Sequence, residues 1–153
     1  MRPILPLLST ALLAACITGP AWPDSRDGKL IGQVEQKAEL SSSLSDQIWE
    51  WAEVGYQEEK SSGLLQQTLK VEGFDIEAGV AGIPTAFVAE YGTGGPVIAI
   101  LAEFDALPGI NQTASPDREE RDGMGAGHAC GHNLFAAGST TAAIAIKDWL
   151  EET

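Results

Sequence analysis

The chain has 153 residues, 44% of them hydrophobic, with 22 acidic against 9 basic side chains and a formal net charge of −13. That length and apolar share suit a single domain with a buried core and exclude a disordered chain. The charge excludes a nucleic-acid partner, because binding to phosphates needs clustered Lys and Arg that are missing here.

Residues 1–16 read as a lipoprotein-type signal peptide. Arg2 supplies a small positive start, residues 4–15 are apolar but too short to span a bilayer, and Leu13-Ala14-Ala15-Cys16 has the form of a bacterial lipobox. The signal would export the protein to the periplasm, and acylation of Cys16 would anchor it in the membrane through lipid; an ordinary cleaved signal or a membrane stub is the alternative. Residues 17–28, with Gly19, Pro20 and Pro23, form a tether, and residues 29–153 form the domain.

Within residues 30–54, Ile31, Val34, Ala38, Leu44, Ile48 and Ala52 recur at helical spacing, with a pause expected at Ser41, Ser42 and Ser43. Trp49 and Trp51 near its end read as packing residues, with an aromatic substrate platform as the alternative. A second helix over 58–72 buries Leu64, Leu65 and Leu69 and stops at Gly73, which suits a left-handed position after the helix. Residues 74–80 alternate as a half-buried strand, residues 85–91 read as another, and Gly92-Thr-Gly-Gly-Pro96 turns the chain.

Residues 97–102, Val-Ile-Ala-Ile-Leu-Ala, are continuously apolar and predict a strand buried on both faces. At its carboxyl end stand Glu103 and Asp105, two apart, where open α/β sheets place their ligands; capping of the next turn by Asp105 is an equal alternative. Residues 111–121 are a polar surface loop. The last helix runs over 133–152, with Phe135, Ser139, Ala142, Ile146 and Trp149 or Leu150 expected on its packed face.

Both histidines and the only cysteine besides Cys16 fall between Asp122 and Asn133. Cys130 and His132, two apart with Gly131 between them, can reach a shared centre, and a thiolate and an imidazole are what a zinc-like ion selects. His128 and Glu103 are further candidates for that centre. The same spacing also suits a buried cysteine beside two turn histidines, or a thiol nucleophile with a histidine base. The glycines do not match a phosphate-binding loop.

Two segments, Ile98-Ala-Ile-Leu-Ala-Glu-Phe-Asp-Ala-Leu-Pro-Gly109 and Gly127-His-Ala-Cys-Gly-His-Asn133, resemble the amidohydrolase branch of the aminoacylase and carboxypeptidase superfamily of metallopeptidases, nearest to p-aminobenzoyl-glutamate hydrolase subunits. Glu53-Val-Gly-Tyr-Gln-Glu-Glu59 resembles an early element of that branch, with Ala52 where its proline would stand. The resemblance implies an α/β fold: an incomplete, N-terminal part of a zinc-peptidase-like catalytic domain with a central, mostly parallel sheet flanked by helices. It implies two divalent ions, Zn or Mn, with Cys130 and His132 as ligands and Asp105 orienting a ligand in the catalytic machinery. Its substrates would be small N-acyl or N-aminobenzoyl amino acids or dipeptide-like molecules, and the complete enzyme would be a dimer.

The family's Glu-Glu pair after a further strand has no counterpart, so this chain alone is expected to be inactive. A lipid-anchored protein that binds metal or a partner without catalysis is the alternative.

Overall fold

The computed structural model describes residues 25–121 and 123–152. The signal peptide, Cys16 and most of the tether lie outside the described residues. Four helices carry most of the structure: α1 (Ser25–Glu35), α2 (Ala38–Trp51), α3 (Glu59–Val71) and α4 (His132–Glu152). Two small antiparallel pairs complete it: β1 (Asp75–Ala78) with β2 (Phe87–Glu90), and β3 (Leu107–Pro108) with β4 (Ala126–Gly127). No helix among the described residues is long and apolar enough to cross a membrane.

The break in the first helical stretch falls at Gln36 and Lys37, not at the serines. Lys37 leaves helical geometry at φ −91° and ψ 2°. Its ammonium reaches Asp148 on α4 at 2.8 Å. Ser45 is buried on the inner face of α2 beside Leu44 and Ile48. The helix α3 ends as its sequence predicts: Gly73 takes φ 91°, a conformation costly for any residue with a Cβ, and the Phe74 amide turns back to the Leu69 carbonyl.

The core forms where α2, α3 and α4 meet. Leu44, Ile48, Leu65, Ala136 and Ala137 make one buried cluster, with Phe87 and Phe104 packed against it. A second joins Leu69, Phe74 and Ile144. Burying each large aliphatic side chain stabilises the fold by about 1.5–3 kcal/mol, so these few residues outweigh the surface ion pairs.

Two expectations are corrected. The central, mostly parallel sheet is not present among the described residues; the sole parallel pairing there is a single bridge between Val54 and Ala106. Residues 97–102 belong to no strand, and Val97, Ile98 and Leu101 are 87%, 80% and 79% exposed. A run of this composition is buried only where strands pair on both sides and helices cover both faces, and no described segment does this.

The buried face of α4 is also not the one expected. Ala136, Ala137, Thr140, Thr141, Ile144 and Ala145 face the core, while Phe135, Ile146 and Leu150 are exposed. The helix is apolar on two sides. α2 takes the side lined with small residues, and the other side carries Ser139, whose hydroxyl donates to the Leu101 carbonyl at 2.7 Å.

Candidate functional site

Asp105 and the Cys-Gly-His segment are 25 or more residues apart in sequence and are joined by the smaller ladder. The Ala106 amide donates to the Glu53 carbonyl at 2.7 Å, which fixes the chain beside α2 just after Asp105. Leu107 then pairs with Gly127, and Pro108 with Ala126. Because β4 runs directly into His128, this pairing carries Asp105 to the turn that opens α4. Gly127 is required there: a Cβ would stand 2.5 Å from the Ile110 carbonyl oxygen and 2.9 Å from the Asn111 Cα.

The turn closes through the Gly131 amide, which donates to the His128 carbonyl at 3.0 Å, and Gly131 has φ 83°. The amides of Leu134 and Phe135 both donate to the Gly131 carbonyl and start the helix. Glu53, whose element was noted only for its resemblance, has a clear task. Its carboxylate accepts the amides of Lys60 and Ser61 and the Ser61 hydroxyl, satisfying the free donors at the start of α3. Glu58, in the same element, accepts the Thr85 hydroxyl in a buried bond of 2.7 Å.

His132 is the centre of the site. Its Nδ1 lies 2.8 Å from Asp105 Oδ1 and 3.1 Å from the Asp105 carbonyl oxygen, so this nitrogen carries the hydrogen and donates to Asp105. Its Nε2 faces Glu103 Oε2 at 2.8 Å. With the hydrogen on Nδ1, a lone pair and a carboxylate face each other there. Only a shared cation, a proton or a metal ion, makes that arrangement attractive.

A carboxylate behind Nδ1 is the arrangement that orients and strengthens a metal-ligating histidine, and Nε2, which here faces Glu103, is the nitrogen that would bind. The exposed thiol of Cys130 stands on the same turn. These donors suit a divalent ion in kind, but among the described residues no group of three or more His, Cys, Asp or Glu side chains is arranged to hold one.

Among the other sequence candidates, Glu103 is brought to His132, whereas His128 is turned away from the pair. It is 8% exposed, with Nε2 3.1 Å from the Ile48 carbonyl oxygen. Burial pushes its pKa below the ordinary histidine range, and the bond to Ile48 only partly offsets this. The ring is therefore neutral, with Nε2–H donating. Its Nδ1 makes no hydrogen bond among the described residues.

Asn133 was not foreseen as a site residue. Its amide donates to Ser45 Oγ at 2.8 Å in a buried contact. A polar residue directly after a histidine, at the first turn of an otherwise apolar helix start, Leu134-Phe-Ala-Ala137, is the signal that could have marked it. Trp49, expected to pack, lies under the Arg121 guanidinium at 4.3 Å, and Arg121 also pairs with Glu50 at 2.8 Å. The loop of residues 111–121 is thereby tied down: the Asn111 side chain accepts the Arg121 amide and donates to the carbonyls of Arg121 and Met124.

No family profile matches the chain. It is 40% identical over 120 residues to a p-aminobenzoyl-glutamate hydrolase subunit of Escherichia coli (strain K12), an alignment covering 78% of this chain and 25% of that protein. The chain belongs to the amidohydrolase and peptidase family that its two motifs resemble. Other members matched include the Xaa-Arg dipeptidase of Mus musculus, 33% identical over 78% of this chain and 26% of that protein. An N-acetylcysteine deacetylase of Bacillus subtilis (strain 168) is 36% identical over 59% of the chain and 23% of its own length. The chain spans about a quarter of the length of these amidohydrolase relatives.

Proposed function

We propose that these residues form part of a metal-dependent hydrolase that cleaves an amide bond in N-acyl or N-aminobenzoyl amino acids, p-aminobenzoyl-glutamate being the model substrate. The observation that carries this reading is His132 held on Nδ1 by Asp105, with the Cys130 thiol on the same turn, in a chain 40% identical to a p-aminobenzoyl-glutamate hydrolase subunit. Cys130 and His132 would hold a divalent ion, Zn or Mn, with Glu103 as a further donor; the complete site would take two ions. Such ions supply Lewis acidity toward a scissile carbonyl. Asp105 fixes the imidazole's tautomer and direction, and Gly131 lets the backbone turn between the two donors.

Under this reading residues 1–153 supply only part of the site, and the base and the remaining ligands belong to the rest of the complete enzyme. A dimeric complete enzyme, and a lipid anchor at Cys16 that holds it at the membrane or in the periplasm, complete the proposal. Blocking signal removal by Cys16→Ser, with the protein moving from membrane to soluble fractions, would support the anchor; equal processing and solubility would leave only an ordinary signal.

The deciding experiment titrates the chain with cobalt(II) and follows thiolate-to-cobalt absorption, alongside hydrolysis of p-aminobenzoyl-glutamate. The expected result is a thiolate band that Cys130→Ala abolishes and His132→Ala weakens, with no turnover by this chain. A polypeptide extended to the length of the relatives should hydrolyse the substrate in a chelator-sensitive manner. A wild-type chain with no thiolate band, or one whose metal content ignores Cys130→Ala, overturns the metal reading.

A further inference from the structure

We propose that Ser45 and Ile48 of α2 form a two-point clamp, gripping His128 on one side of the Cys130–His132 turn and Asn133 on the other, and that this clamp positions both donors. The two α2 residues are three apart, about one turn of helix, so they share the buried face of α2. Each receives a buried side chain from a different end of the same short segment. His128, before the turn, donates through Nε2 to the Ile48 carbonyl at 3.1 Å; Asn133, after it, donates through its amide to Ser45 Oγ at 2.8 Å and to the Ser45 carbonyl at 3.4 Å.

The polarity of these groups in a core position needs explaining, and the clamp supplies it. Ser45 and Asn133 are 6% and 7% exposed, beside Leu44 and Ile48 at 1% and 0%. A buried hydroxyl or amide left unpaired is strongly unfavourable, so the pair holds only while the turn sits against α2. The Ile48 carbonyl is shared: it also accepts the Ala52 amide, and a carbonyl oxygen has lone pairs for both. Between the two anchors the turn projects outward, with Cys130 exposed and His132 reaching Asp105. Asp105 orients one ring, whereas the clamp sets where the whole segment stands.

The consequence for metal affinity rests on the proposed function; the ordering of the turn does not. The test uses the full chain with Ser45→Ala and His128→Ala, and with Ser45→Thr and His128→Gln as variants that keep a hydroxyl and a donor. Hydrogen exchange is read at the Gly131 and Leu134 amides of the turn, with the Phe74 amide behind α3 as reference. Loss of one net hydrogen bond should speed exchange at Gly131 and Leu134 about five- to ten-fold and leave Phe74 unchanged. Cobalt affinity should fall by roughly 10–100-fold, as when an outer-shell partner is lost. Ser45→Thr should restore both.

Unchanged exchange at Gly131 and Leu134 in both alanine variants, or equal acceleration at Phe74, overturns the clamp. So does unaltered cobalt affinity in variants whose wild-type parent binds cobalt. If the wild type binds no cobalt, the metal reading fails and the exchange data alone decide the clamp. Should His128→Ala fail to fold, Ser45→Ala carries the test, since it deletes only a hydroxyl.

Discussion

Asp105 meets His132 twice, through its carboxylate at 2.8 Å and its own main-chain carbonyl at 3.1 Å, so one residue supplies both acceptors for a single ring nitrogen. Asp105→Asn keeps the carbonyl contact and removes the charge. In a polypeptide of the relatives' length, Asp105→Asn should lose more rate than metal, within the ~10–100-fold range usual for such partners. Cys130→Ala and His132→Ala should lose metal and rate together. Metal content after gel filtration and initial rates on p-aminobenzoyl-glutamate separate the two patterns. Full loss of metal in Asp105→Asn would make the carboxylate a direct donor.

Leu65 is fully buried in the cluster shared by α2, α3 and α4. Leu65→Ala should destabilise the chain by about 2–5 kcal/mol, the transfer loss plus the cavity left behind. Urea unfolding followed by tryptophan fluorescence measures it. A cost under about 1 kcal/mol would mean that the three helices are not packed through this side chain.

Glu53 bonds three donors at the start of α3 and carries the carbonyl that receives the Ala106 amide. Glu53→Ala removes only the side-chain part, so the cost should resemble loss of a helix cap, about 0.5–2 kcal/mol. Thermal melts of the two proteins at one pH give the difference. Glu53→Gln, which can still accept but less strongly, should fall between them.

Asp148 ties α4 to the α1–α2 junction. Its hydrogen bond to Lys37 is the main cause of a pKa below the usual carboxylate range; burial works against this, and a second bond to Lys147 adds to it. Burial likewise disfavours the Lys147 charge, but the bonds to Asp148 and Glu72 outweigh it and raise that pKa. A carboxylate whose folded pKa is lowered stabilises the fold fully above its unfolded value, near about 3.9, and loses that contribution as pH falls through the lower folded value. The difference in unfolding midpoint between wild type and Asp148→Asn should therefore be constant at about pH 5–7 and shrink below about pH 4. A difference that stays the same down to about pH 2.5 would show that the charge on Asp148 is not what stabilises this junction.

Much of the site was legible in the linear chain, because the chemistry lies in short, local patterns. Cys130, Gly131 and His132 are adjacent by sequence alone, and Gly73 ends α3 through a backbone preference that needs no neighbours. The pairing of Asp105 with His132 was reachable only as a resemblance. Nothing local in residues 105 or 132 says that a two-residue ladder, Leu107 with Gly127 and Pro108 with Ala126, will bring them together.

Tertiary structure decided the rest, wherever a pattern admitted two partners. Helical periodicity shows that α4 has apolar sides but not which one a neighbour will take; α2 selected the side of Ala136 and Ala137, where small residues leave room. An apolar run such as residues 97–102 carries the propensity to be buried in a sheet, yet burial belongs to the surrounding strands, and among the described residues the run is exposed. His128 shows the same division at one residue. Its sequence neighbours made it a candidate ligand, whereas the Ile48 carbonyl, 80 positions away, claims its ring nitrogen because a buried donor must find an acceptor.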